Sequence, residues 1–378
     1  MPPFVHDHRM PRVVFGAGML QELPRELEAL GARRALVLST PGQVALADRV
    51  ADLLGPHCAG VFAQAVMHVP TETAEAARAA AHRLGADSLV TVGGGSTTGL
   101  GKAIALDPES FGSLPIIAIP TTYAGSEMTT VWGLTEAGVK RTGRDPHVLP
   151  RCVFYDPELS RGLPFGITVT SMLNAIAHAA EGLYAPEANP VIELLAVEGI
   201  RRGAGALPRL QRDPLDIDAR GDALVAAWLC GTVMGGITVG LHHKLCHTLG
   251  GSFKLPHAEA HCVVLPQAMA YNAGAAPQAM LRIAQALATA RGGNDGATAP
   301  DQAAASEQAG ASSAARALFY LAARHGAPTS LRAIGMRAED LDRAADLAVQ
   351  NAYPNPRALD RSAIRELLQR AFEGRRPD

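Results

Sequence analysis

Along the first 160 residues, short unbroken apolar runs alternate with longer stretches whose apolar positions recur at helical spacing. Residues 35–39 (A-L-V-L-S) form one such run and lead into Thr-Pro-Gly, which predicts a strand entering a turn. Helical spacing follows over 44–54, then a weaker strand over 60–63. An alanine-rich helix is predicted over 71–84, with Thr71 as its cap and Gly85 as its stop. Residues 88–92 read as a buried strand running into Gly93-Gly94-Gly95-Ser96 and another helix. A further strand over 114–119 ends at Pro120-Thr121-Thr122. Strands that are apolar throughout, with helices between them, imply a parallel sheet covered on both faces. From Thr168 onward the windows are long, rich in alanine and leucine, and helical. The Pro/Gly-marked stretch 156–164 places the expected boundary: an α/β domain over 1–160 and an all-α domain over 161–378. Residues 291–313 are small-residue rich and read as a surface insertion between helices.

Bulk properties narrow the class. Hydrophobic residues make up 48% and charged residues 19% of the 378, as in an ordinary globular protein. A formal charge of −2 gives no reason to expect nucleic acid or an anionic membrane as partner. No run approaches the roughly 18 apolar residues of a membrane span, and residues 1–11 lack a signal-peptide apolar core. The five cysteines are scattered without a C-x-x-C, which predicts reduced thiols and a cytoplasmic location. Cys246 and Cys262 flank several histidines and are expected to pack as small hydrophobes.

Two constellations carry chemistry. Gly93-Gly94-Gly95-Ser96 lies between a strand and a helix, where glycines admit a pyrophosphate and helix N–H groups face it. It is neither G-x-G-x-x-G, since Thr98 takes the last glycine position, nor a P-loop, since Ala103 follows Lys102. Thr121, Thr122 and Ser126 add hydroxyls at the same expected sheet edge. Ser39 and Thr40 stand where an acid would hold an adenosine 2′-hydroxyl, so a 2′-phosphate is not repelled, strict NADH selectivity is not expected, and the coenzyme is expected to be NADH and/or NADPH. The second constellation is a histidine array. Asn174 and His178 are four apart, as are His243 and His247, so each pair shares a helix face; His257 and His261 follow. A catalytic divalent metal wants imidazoles plus a carboxylate, and the position four before His178 carries an amide. His242 points off the His243/His247 face and is expected to pack or meet solvent, with His261 supporting the others.

The segments G-G-G-S, P-T-T-x-x-G-S-E, N-A-I-A-H-A-x-E and H-x-x-x-H-x-L-G-G-x-F-x-L-P-H together resemble the iron-containing alcohol dehydrogenase superfamily nearly end to end. The resemblance implies a dinucleotide-binding α/β domain followed by a helical domain, the fold shared with dehydroquinate synthase. It implies a homodimer as well. It maps the acid and three histidines that hold the ion in metal-dependent members onto Asn174, His178, His243 and His257, with His247 beside the substrate. It assigns Gly93, Gly94, Gly95 and Ser96 to the pyrophosphate, Thr121 and Thr122 to the adenine or its ribose, and Ser126 and Lys140 to the nicotinamide side. Details such as T-T-Y-A-G-S-E-M-T and L-C-H-T-L-G-G-S-F-K-L-P-H-A-E-A-H are similar to the branch that reduces maleylacetate to 3-oxoadipate in aromatic catabolism, generally without added metal.

The missing acid suits that branch. Hydride addition to a conjugated keto diacid gives a delocalised enolate, which imidazoles can stabilise and reprotonate at carbon. His243 or His247 is expected as donor, His178 and His257 complete a cationic pocket, and Lys254 is a candidate for a substrate carboxylate. No metal is expected. The competing expectations are a metal-dependent alcohol dehydrogenase that tolerates Asn174, a lyase like dehydroquinate synthase, and a non-enzymatic nucleotide binder.

Overall fold

A computed structural model describes residues 3–7, 9–106, 114–136, 139–291 and 307–377. The chain divides into two compact units, His8–Leu163 and Met1–Asp7 with Pro164–Asp378.

In the first unit the elements run β1 (Arg12–Phe15), α1 (Leu23–Ala29), β2 (Ala35–Leu38), α2 (Val44–Leu54), β3 (Cys58–Phe62), α3 (Thr71–Arg83), β4 (Ser88–Gly93), α4 (Gly95–Ala105), β5 (Ile116–Pro120), β6 (Val131–Glu136), β7 (Val139–Arg144) and β8 (Cys152–Tyr155). Six strands form a sheet in the order β1-β8-β5-β4-β2-β3, every neighbouring pair parallel. Period-two alternation sorts each strand between two cores. Leu36, Leu38, Leu89 and Ile116 pack with α3 and α4 residues such as Ala77 and Ile104. Ala35, Val37, Val90, Val92, Ile117 and Ile119 pack with Leu23, Leu27, Ala47 and Val50 of α1 and α2. The parallel order sets the carboxyl ends of β2, β4 and β5 side by side. Ser39, Gly93 and Thr121 therefore gather at one edge.

Several local expectations are corrected. β1, β8 and the antiparallel hairpin β6–β7 carry mixed or short patterns that periodicity does not flag. Thr71 is not a cap: Pro70 precedes the helix, and the Thr71 hydroxyl donates to the Thr135 carbonyl at 3.1 Å.

The second unit is helical: α5 (Phe165–Gly182), α6 (Pro190–Arg212), α7 (Ile217–Gly235), α8 (Leu241–Phe253), α9 (His257–Asn272), α10 (Pro277–Arg291), α11 (Glu307–Arg324), α12 (Leu341–Val349) and α13 (Arg361–Glu373). α5 is buried along Thr168–Gly182 and packs against α6, α7 and α9, its alanines letting the neighbours approach. The expected insertion over 291–313 falls largely outside the described residues, and Glu307–Ser313 belong to α11. No helix among the described residues is long and apolar enough to cross a membrane.

Candidate functional site

At the β4–α4 turn the backbone is shaped for close approach. Gly93 has φ +148°, and a Cβ there would meet Thr97 Oγ1 at 2.5 Å and Gln43 Oε1 at 2.8 Å. A Cβ on Gly94 would meet the Thr122 methyl at 2.9 Å, whereas one on Gly95 would meet nothing within 4 Å. The first turn of α4 thus offers N–H groups without intrahelical partners beside open space, as an anionic phosphate requires. The rim is tied together around it. Gln43 Nε2 donates to Thr121 Oγ1 at 2.9 Å, the Thr121 N–H donates to the Gly93 carbonyl at 3.0 Å, and the Ser39 hydroxyl donates to the Val92 carbonyl at 3.1 Å. These residues fit a dinucleotide.

Ser126 sits in the turn after β5, and its carbonyl accepts from Lys102 Nζ at 2.7 Å. Lys102, which reads as an ordinary helix lysine, is buried and also donates to the carbonyls of Thr129 (2.7 Å) and Val131 (2.8 Å). Burial brings its ammonium down to about 7 against the opposing pull of Glu127. The backbone of Lys140 pairs with Thr135 in the β6–β7 hairpin; its side chain lies outside the described residues.

In the helical unit, α5, α8 and α9 bring the histidines together. Asn174, His178 and Glu181 stand at i, i+4 and i+7 of α5, on one buried face. His178 stacks on His243 of α8 with ring centroids 4.9 Å apart and planes at 22°. The connection 254–256 turns the chain back so that His257, the first residue of α9, stacks on His247 at 6.2 Å and 13°. His261 lies one turn further, 4.5 Å from the His257 ring and 5.0 Å from that of His243. Asn174, His178, His242, His243 and His261 are buried, while His247 and His257 are half-buried and form the open side of the group.

The electrostatics correct one expectation. Burial, reinforced by His243 and His257, drives the His178 imidazole well below its ordinary value, so His178 is a neutral ring and adds no positive charge to the pocket. His242 and His261 are driven down by burial in the same way. They bond to each other, His242 Nε2 to His261 Nδ1 at 2.8 Å, so His242 packs and does not meet solvent. Cys246 and Cys262 are buried thiols whose pKa burial raises, as expected of core residues. Lys254 is the exposed, left-handed residue that ends α8, at φ 57°.

Glu181 was not foreseen. Its carboxylate accepts from the N–H of Gly240 at 3.1 Å and of His242 at 2.9 Å, which caps α8, and from His243 Nδ1 at 2.6 Å. The only hint in the sequence is an acid one turn after His178. Nothing local ties it to a residue 62 positions away.

Buried atoms without a partner include Asn174 Oδ1, His178 Nδ1 and His243 Nε2. As donors for the superfamily's ion, Asn174 is an amide and His178 a neutral ring. Glu181, the carboxylate bonded to His243, is also bonded to the first turn of α8. A divalent cation on these atoms would meet no anionic ligand directly, its charge offset only through the His243 ring by Glu181, so the residues fit it less well than a set that includes an acid. A second grouping, His242, His243 and His261, has one ligand atom from each residue within 4.8 Å of the others. The bond between His242 and His261 already uses one nitrogen of each.

Comparison with known proteins agrees with this geometry. Residues 11–157 match the iron-containing alcohol dehydrogenase family model, and residues 168–372 match the C-terminal model of that family. The chain belongs to the iron-containing alcohol dehydrogenase family. It is 59% identical over 377 residues to a maleylacetate reductase from Burkholderia cepacia, covering 100% of both chains. The crystal structure of maleylacetate reductase from Agrobacterium tumefaciens superposes with a TM-score of 0.89 at 50% identity, covering 100% of each chain. An iron-containing alcohol dehydrogenase from Corynebacterium glutamicum gives 0.87 at 40% identity, covering 98% of this chain and 97% of that one.

Proposed function

We propose that this oxidoreductase reduces the conjugated double bond of maleylacetate to 3-oxoadipate with NADH or NADPH, and does so without a metal ion. The substrate follows from the full-length likeness to maleylacetate reductases. The observation that carries the chemistry is Asn174, a buried amide where the resemblance puts the acid of an ion-binding site, in a group where Glu181 is bonded to His243.

Gly93–Ser96 bind the coenzyme pyrophosphate, with Thr121 and Thr122 on the adenosine side and Ser126 and Lys140 toward the nicotinamide. Ser39 follows β2 where an acid would stand, so a 2′-phosphate meets no repulsion there. The bound coenzyme supplies hydride. His243, its Nδ1–H held by Glu181, takes a second proton from water on Nε2 and donates from it to the enolate oxygen, while Glu181 offsets the positive charge this puts on the ring. His247, half-buried at the open side, returns a proton to the α-carbon. His178 and His257 wall the substrate, and Lys254 is the candidate partner of a substrate carboxylate. Five free cysteines suit a reducing cytoplasm, and a homodimer follows the superfamily.

A metal-dependent carbonyl reductase is the second reading, favoured by the partnerless Asn174 Oδ1, His178 Nδ1 and His243 Nε2. Steady-state oxidation of NADH and NADPH by enzymatically prepared maleylacetate, before and after chelation, separates the two. We expect turnover to survive chelation with metal far below stoichiometric. Activity lost on stripping and restored by iron or zinc would establish the second reading instead.

A further inference from the structure

We infer that Glu181 is the positioning residue for the reacting imidazole: it holds the His243 ring with Nδ1 protonated and Nε2 presented outward. The inference rests on the reading above, in which His243 meets the substrate.

Glu181 is only 1% exposed, and its two oxygens are surrounded by donors. Oε2 accepts from the Gly240 N–H and from His243 Nδ1, and Oε1 from the His242 N–H and, at 3.3 Å, from the Tyr184 hydroxyl. The two backbone bonds anchor the carboxylate to the first turn of α8, the turn that carries His243. Carboxylate and ring therefore keep a fixed mutual position. A carboxylate has no proton to give, so the nitrogen facing it at 2.6 Å must carry one. The other tautomer would set a ring lone pair against an anion in a buried site. Nδ1 protonation leaves Nε2 as the ring's working atom, and Nε2 is buried and without a partner in the protein. A helix cap alone would need only the two backbone bonds. The shortest of the set goes instead to the side chain that has an unused nitrogen. This is the carboxylate–histidine arrangement that fixes tautomer and orientation where an imidazole does chemistry.

The surroundings permit a direct test. Glu181 also lines a cavity of about 250 Å³ with Tyr184, Thr238, Gly240 and Asn355, none of them a histidine. Water entering there can satisfy the α8 N–H groups when the carboxylate is removed. In protein labelled with ¹⁵N at histidine and free of substrate, we expect His243 Nδ1 to be protonated in the unmodified chain. In Glu181→Ala we expect that proton to redistribute to Nε2. With maleylacetate, Glu181→Ala should lower kcat about 10–100-fold, because no carboxylate then offsets the charge of the doubly protonated ring or fixes its direction, with KM for the coenzyme unchanged. Glu181→Gln keeps a neutral acceptor and should fall between the two. A wild-type ring protonated at Nε2 alone, or one whose tautomer and kcat do not change in Glu181→Ala, overturns the assignment, and the wild-type spectrum decides even if a variant does not fold. The spectra require no turnover. An unmodified protein that is inactive on maleylacetate while His243 shows the Nδ1 proton refutes the substrate reading and not the placement of the ring.

Discussion

Asn174 is 6% exposed, and its carbonyl oxygen reaches no donor although it shares a helix face with His178. Restoring an anion there supplies the charge that an imidazole-bound cation lacks. Asn174→Asp should strengthen zinc or iron binding at least about 10-fold, judged from the cost of far milder changes around metal ligands. Isothermal titration of both proteins measures it, and equal affinity would mean that these side chains do not form a latent ligand set. The spacing of Asn174, His178, His243, His247 and His257 was legible in the chain because a helix converts four-residue steps into a shared face. The sorting of these rings into buried and half-buried, and the neutrality of His178, was not. His178 is neutral because of what packs around it, and a stacking partner 65 residues away leaves no local trace.

Among the elements, β4, its glycine turn and α4 were readable because a buried apolar strand, a glycine run and a helical window follow in order. Gly95 isolates the function of that turn from its folding. A methyl group there meets no protein atom within 4 Å, so Gly95→Ala should leave stability within about 0.5 kcal/mol. It should still weaken NADH or NADPH binding at least tenfold, because the added carbon occupies the pyrophosphate's approach. Fluorescence titration of both coenzymes beside a urea melt reads the two effects apart. Unchanged coenzyme affinity would move the pyrophosphate elsewhere. The β6–β7 hairpin escaped notice because its strands are half-polar. The start of β6 and the preceding loop are fastened from below by Lys102, a residue type that sequence reading assigns to solvent.

At the scale of the whole molecule, three buried histidines among the described residues are held far toward their neutral form. His178, His242 and His261 all lie well below the ordinary 6.5 in the fold, chiefly through burial. Below 6.5 the unfolded chain takes up protons that the folded chain refuses, so stability falls as pH drops through that value. Each ring contributes up to about 1.4 kcal/mol per pH unit until its folded value is reached. Above about pH 7 the contribution is complete. Urea melts at intervals from neutral to mildly acidic pH should show this decline beginning before the carboxylates titrate. A midpoint that stays flat down to pH 5 would mean that these rings are accessible to protons in the fold.

The chain by itself determined the architecture: apolar strands between helices permit only a covered parallel sheet, and the later helical periodicity permits only a helical second unit. It also determined which residue types were available for chemistry, including the amide that replaces an acid. Tertiary structure decided what each of those residues is. Glu181 found His243, His242 found His261, and Lys102 found three carbonyls across distances in sequence that no local pattern spans. A side chain's charge and direction depend on which dipoles and rings surround it once water is excluded, and only packing sets those neighbours.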